Sequence, residues 1–124
     1  MDTTTNFLFF NSRDELLRLD ISKIVYFESD GNYTNIILTN KRRGIICLNL
    51  AQTEKVLEER LKEKARCFAR IGKRFIINLN YVYQINVIKQ RLVLSDYSSF
   101  AFQLEMSKEA LKKLKEIFLN IKFA

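Results

Sequence analysis

No histidine, proline or tryptophan occurs among the 124 residues, and glycine and cysteine number only three and two. Without histidine the chain lacks the commonest general base and the commonest metal-binding side chain. The glycines, Gly31, Gly44 and Gly72, are isolated, so neither a phosphate-cradling loop nor a dinucleotide fingerprint exists. Two cysteines, Cys47 and Cys67, cannot complete a four-ligand zinc site, and each reads as a buried, inert thiol with no disulfide expected. The carboxylates of Glu28 and Asp30 lie near a bend but belong to no gathered acidic cluster. An enzyme is not expected, nor a cofactor, metal or small-molecule substrate. No apolar run approaches the roughly 18–20 residues of a membrane-spanning helix. The start, Met1 to Thr5, lacks the basic and apolar regions of a secretory signal, so a cytoplasmic protein away from membranes is expected.

What is present is apolar residues and cations. The hydrophobic fraction of 48% fits a folded domain, and absence of proline leaves no linker to divide residues 1–124. The formal charge is +7 and uneven. Residues 1–40 hold 3 basic and 6 acidic side chains, a net of −3, whereas residues 41–124 hold 18 and 8, a net of +10. Such asymmetry fits a polyanion-binding surface, although lysines on the wet face of a helix give the same count.

The pattern predicts a mostly β fold with two helices, built as antiparallel sheets in one compact domain. Short β-prone runs cover Phe7–Asn11, Glu15–Leu19, Ile24–Phe27, Tyr33–Thr39 and Ile45–Leu48, with a turn at Ser12–Asp14. A helix beginning at Asn49, or at Leu50 with Asn49 just ahead, spaces Thr53, Val56, Leu57, Arg60 and Leu61 along one face. Strands return at Cys67–Ile71, Phe75–Asn78, Val82–Ile85, Asn86–Lys89, Arg91–Ser95 and Phe100–Leu104. Ser107 is an N-cap for a closing helix over about 108–120, whose apolar side is Leu111, Leu114, Ile117, Phe118 and Ile121.

Two interrupted β-segments carry the candidate site. In Gly72-Lys73-Arg74, adjacent cations serve no turn-forming purpose, and their repulsion is relieved by phosphate or a base edge opposite. Arg70, just before, reads either as a further contact or as an ion-pair partner for Glu28 or a neighbouring acid. Asn32, Tyr33 and Thr34 offer amides and hydroxyls to a nucleic acid, or simply belong to a hairpin turn with Gly31 or Asn32 at positive φ. Lys41, Arg42 and Arg43 form another basic tip, an edge guard or a phosphate contact. Ser107 and Lys108 open a helix, where anions are favoured.

These stretches resemble the LytTR DNA-binding domain, the mostly-β output module of many bacterial response regulators. The likeness spans about residues 20–114. The family's "I-x-Y-x-E-x-x-x-N-Y-x-x-I" is matched by Ile24, Tyr26, Glu28, Asn32, Tyr33 and Ile36. Its "F-x-R-I-H-R-S-Y-I-V-N-L" is similar to Phe68, Arg70, Ile71, Gly72, Lys73, Arg74, Phe75, Ile76, Ile77, Asn78 and Leu79. Its "L-x-V-S-R-x-x-L-K-x-L" is echoed by Leu104, Met106, Ser107, Lys108, Leu111, Lys112 and Leu114. The resemblance implies a transcriptional regulator whose loops enter successive major grooves of double-stranded DNA. It puts Asn32, Tyr33, Thr34, Lys73, Arg74, Ser107 and Lys108 on the duplex, and homodimers on paired sites. Two departures stand out: Gly72 replaces a histidine, and Glu109 stands where a cation is common. Only about twenty residues of this sequence precede the matching region, and with Met1 at its start a stand-alone regulator is expected over an isolated fragment. An RNA-binding module, with exposed tyrosines beside cations, and a protein-interaction domain are the alternatives.

Overall fold

Four consecutive residues, Ile24 to Phe27, are buried, which a strand achieves only when both of its faces are covered. The computed structural model describes residues 6–120 and shows how that covering is built. The chain runs β1 (Phe7–Asn11), β2 (Leu16–Asp20), β3 (Ile24–Asp30), β4 (Tyr33–Leu38), β5 (Arg43–Ile46), α1 (Leu50–Leu61), β6 (Phe68–Ile71), β7 (Phe75–Asn78), β8 (Val82–Asn86), β9 (Arg91–Ser95), β10 (Ala101–Glu105) and α2 (Lys108–Asn120). Strand β3 is central in a five-stranded antiparallel sheet ordered β5-β4-β3-β7-β6.

One face of that sheet, with Phe27, Ile36, Ile46 and Ile76, packs against α1 and the β1–β2 hairpin. The other face, with Tyr26, Ile37, Phe75 and Ile77, packs against α2 and a second antiparallel sheet ordered β10-β9-β8. The expected mostly β, two-helix architecture is therefore present.

Local chemistry fixes both helices. Asn49 and Gln52 form a reciprocal capping box at the start of α1, and Leu50, Thr53, Leu57 and Leu61 are buried along one stripe. Ser107 Oγ accepts the Ala110 amide at 3.1 Å, and Leu111 and Leu114 of α2 are fully buried. Truncating either leucine to alanine would cost about 2–5 kcal/mol. Ile121, expected on the same face, lies outside the described residues.

Two sequence expectations are corrected. Asn86–Lys89 is not a strand: Asn86 ends β8, its Oδ1 accepts the Lys89 amide at 3.0 Å, and a turn follows with Gln90 at φ 53°. The polar side chain closes the turn where a ladder would otherwise continue. Cys47 is exposed rather than buried, because alternation beyond the edge strand β5 turns Ile46 inward and Cys47 outward. Cys67 is partly buried, and burial pushes its thiol pKa up.

Candidate nucleic-acid interface

Register determines which tips share an end of the large sheet. Asp30 pairs with Tyr33 across the two-residue turn Gly31-Asn32, where Gly31 at φ 61° takes the left-handed position a tight hairpin requires. Phe75 pairs with Glu28, and the Ser29 amide donates to the Arg74 carbonyl at 2.8 Å. The β6–β7 tip, Gly72-Lys73-Arg74, thus sits beside the β3–β4 turn, two strand spacings or about 10 Å from β4.

A third and a fourth segment join them. A Cβ on Gly72 would lie 3.9 Å from the Ala110 Cβ, so the tip abuts the first turn of α2. The Met106 amide donates to the Gln90 carbonyl at 3.2 Å, drawing the β8–β9 turn to the same place. A cleft of about 580 Å³ lies between them, with Phe75 and Met106 among its lining and Lys73, Arg74, Lys89, Glu105 and Ser107 around it. Lys73, Lys89 and Lys108 are exposed and have no ion-pair partner among the described residues.

Arg74 is both anchored and available. Its Nη2 donates to Glu28 Oε2 at 2.9 Å and its guanidinium lies 5.2 Å from the Phe75 ring centroid, yet its side chain is 66% exposed. Glu28's charge is felt locally: burial first, and that carboxylate second, raise the Tyr26 phenol pKa, while Arg43 opposes them. Cations do not stand alone here, since Glu28, Asp30, Glu105 and Glu109 occupy the same end.

The remaining sequence candidates divide. Asn32 is exposed in its turn and Tyr33 is 50% exposed. Thr34 is 0% exposed, and its hydroxyl donates to the Leu48 carbonyl at 2.8 Å. As a direct contact Thr34 is therefore corrected: its register partner Ile46 belongs to the α1-side core, so Thr34 points under α1. Arg70 has its ion-pair partner in a neighbouring acid, Glu54 at 3.5 Å, rather than in Glu28. Its register partner Ile76 also faces α1, whereas Glu28 faces away, and Arg74 takes Glu28 instead. The Lys41-Arg42 tip follows Leu38, which pairs with Ile24 at the opposite end of β3, roughly 20 Å away at ordinary strand rise, while Arg43 opens β5 and pairs with Ile37.

Sequence reasoning did not single out Lys89, which it placed at the end of the expected Asn86–Lys89 strand, because its neighbours come from the hairpin tip and α2. It also missed Asn35, which pairs with Glu28 in register. Asn35 is 6% exposed, and its side-chain amide makes no hydrogen bond among the described residues.

A protein-family model described as the LytTr DNA-binding domain matches residues 14–119. Among solved structures, a Bacillus cereus chain described as the LytTr DNA-binding domain of a methyl-accepting/DNA response regulator superposes with a TM-score of 0.61. That likeness covers 94% of this chain and 98% of the other at 19% identity, and at that identity it is a likeness of fold. No curated protein sequence matches the chain.

Proposed function

Because the chain belongs to the LytTr DNA-binding domain family, we propose that it binds double-stranded DNA sequence-specifically and regulates transcription. The supporting observation is convergence. The β3–β4 turn, the β6–β7 tip, the β8–β9 turn and the start of α2 meet at one end of the structure, bringing Lys73, Arg74, Lys89 and Lys108 together. In this reading Lys73, Lys89 and Lys108 meet phosphates, and the amides at the start of α2 favour a further one. Arg74, Asn32 and Tyr33 are the side chains offered to base edges in the major groove.

Neutralising about four phosphates gives a slope of log K against log salt of roughly −3 to −4. The interleaved carboxylates repel phosphates that are out of register, so selectivity rests on fit rather than on a broad positive field. The family resemblance implies homodimers on paired half-sites, which sedimentation of the bound complex would count.

Selecting bound fragments from a random duplex pool tests the reading. Recovery of a defined motif, bound in preference to single-stranded RNA, supports it. Equal or better binding to single-stranded RNA would favour the RNA-binding alternative. That alternative has little support from the most exposed tyrosine pair. Tyr83 and Tyr97 pack edge-on at 5.3 Å, with Tyr97 in the β9–β10 turn, at the opposite end of their sheet from Lys89.

A further inference from the structure

Arg74 is supported from three directions. Its carbonyl accepts the Ser29 amide at 2.8 Å, its Nη2 donates to Glu28 Oε2 at 2.9 Å, and its guanidinium lies 5.2 Å from the centroid of the Phe75 ring. Glu28 and Phe75 are themselves register partners on β3 and β7, so the platform beneath the guanidinium is sheet rather than loop. A guanidinium carries five N–H donors in a planar fork. One hydrogen bond to Glu28 leaves most of them directed elsewhere, in keeping with the 66% exposure of the side chain.

Resting on the duplex-binding reading, we propose that Glu28 is a positioning residue for sequence discrimination, its carboxylate fixing the Arg74 fork in a base-reading orientation. A free arginine near DNA gains nearly as much from any phosphate as from a base. A fork already ordered meets the right acceptor pair without further loss of side-chain entropy, and meets a wrong base with donors left unpaired. A carboxylate facing DNA otherwise only repels phosphate, so Glu28 lowers overall affinity while raising discrimination. The single Nη2–Oε2 bond separates orienting from masking, since a masking carboxylate would occupy the fork bidentately.

The test uses two probes, a duplex recovered from a random pool and a scrambled duplex of equal length and composition. Both are titrated with wild type, Glu28→Gln, Glu28→Ala, Arg74→Ala and the double variant Glu28→Ala/Arg74→Ala, with urea unfolding of each to check the fold. Glu28→Ala is expected to weaken the selected duplex and to leave the scrambled one unchanged or tighter, lowering their affinity ratio roughly tenfold. Glu28→Gln, whose amide oxygen still accepts, recovers part of that ratio. On the Arg74→Ala background, removing Glu28 changes the ratio by no more than about twofold. Should Glu28→Ala fail to fold, Glu28→Gln with and without Arg74 decides, by the same loss of coupling. Equal tightening on both duplexes overturns the inference in favour of masking, and an identical drop in ratio with and without Arg74 overturns it as well. A wild-type chain that binds neither duplex instead defeats the DNA reading itself.

Discussion

The hydroxyls of Thr34 and Thr53 lie 3.3 Å apart in the buried seam between β4 and α1. Thr34 Oγ1 donates to the Leu48 carbonyl, and Thr53 Oγ1 is also within 2.9 Å of the Asn49 carbonyl. Helix α1 is thereby tied to the sheet just behind the β3–β4 turn. Thr34→Val keeps the volume and removes the donor, leaving the Leu48 carbonyl without its side-chain partner. Destabilisation of about 1–3 kcal/mol in urea unfolding is expected. Duplex affinity of the folded variant should not change, because the side chain never reaches the surface.

Tip position is expected to matter more than tip charge. The Lys73-Arg74 tip and the Lys41-Arg42 tip carry the same two cations but lie at opposite ends of β3. Lys73→Ala should weaken all duplexes alike and reduce the salt slope by about one, whereas Arg74→Ala should cost about 1–3 kcal/mol on the selected sequence alone. Lys41→Ala and Arg42→Ala should leave both quantities unchanged. Fluorescence anisotropy at several salt concentrations separates these outcomes.

Asn78 completes the ladder where the register slips. Between Ile24 and Tyr26 the β3–β4 pairing shifts, and the β3–β7 pairs begin only at Tyr26. The Ile24 carbonyl is met instead by Asn78 Nδ2 at 2.8 Å, while Asn78 Oδ1 accepts the Asn80 amide at 3.0 Å. With the residue 1% exposed, water cannot substitute freely. Asn78→Leu, close in size but unable to make either bond, should lower stability by about 2 kcal/mol or more in urea unfolding.

A pH signature belongs to the β9–β10 turn. The Asp96 carboxylate accepts the Ser99 hydroxyl and the Ser98, Ser99 and Phe100 amides, and these bonds hold its pKa well below the usual carboxylate range. A depressed folded-state pKa contributes stability above the unfolded value and loses it as pH falls toward the folded one. Wild type should therefore melt above Asp96→Asn near pH 7. That gap should begin to close below about pH 4 and keep shrinking under further acidification. A gap independent of pH would show that the charge of Asp96 plays no part.

Much of the fold is legible in the sequence because β-prone runs alternate with polar breaks. Asn49 and Ser107 mark both helix starts through their side-chain chemistry. The run Asn86–Lys89 misleads because its outcome depends on one asparagine closing a turn on itself. The site is legible in part. Lys73, Arg74, Ser107 and Asn32 are visible as polar tips among apolar strands. Tyr33 and Thr34 are adjacent and equally polar, and only the position of α1 decides which of them is buried. Arg70 and Arg74 likewise differ by which sheet face each serves, a property of hairpin register rather than of composition. Lys89 joins the site through tertiary packing that no local pattern encodes.

Backbone amide shifts recorded while the selected duplex is added test the central claim most directly. Perturbations should concentrate at residues 31–33, 72–75, 89–90 and 107–110, and spare 39–43 at the other end of the sheet. Changes centred on the Lys41-Arg42 tip or on the Tyr83–Tyr97 pair, with the first set silent, would contradict the account.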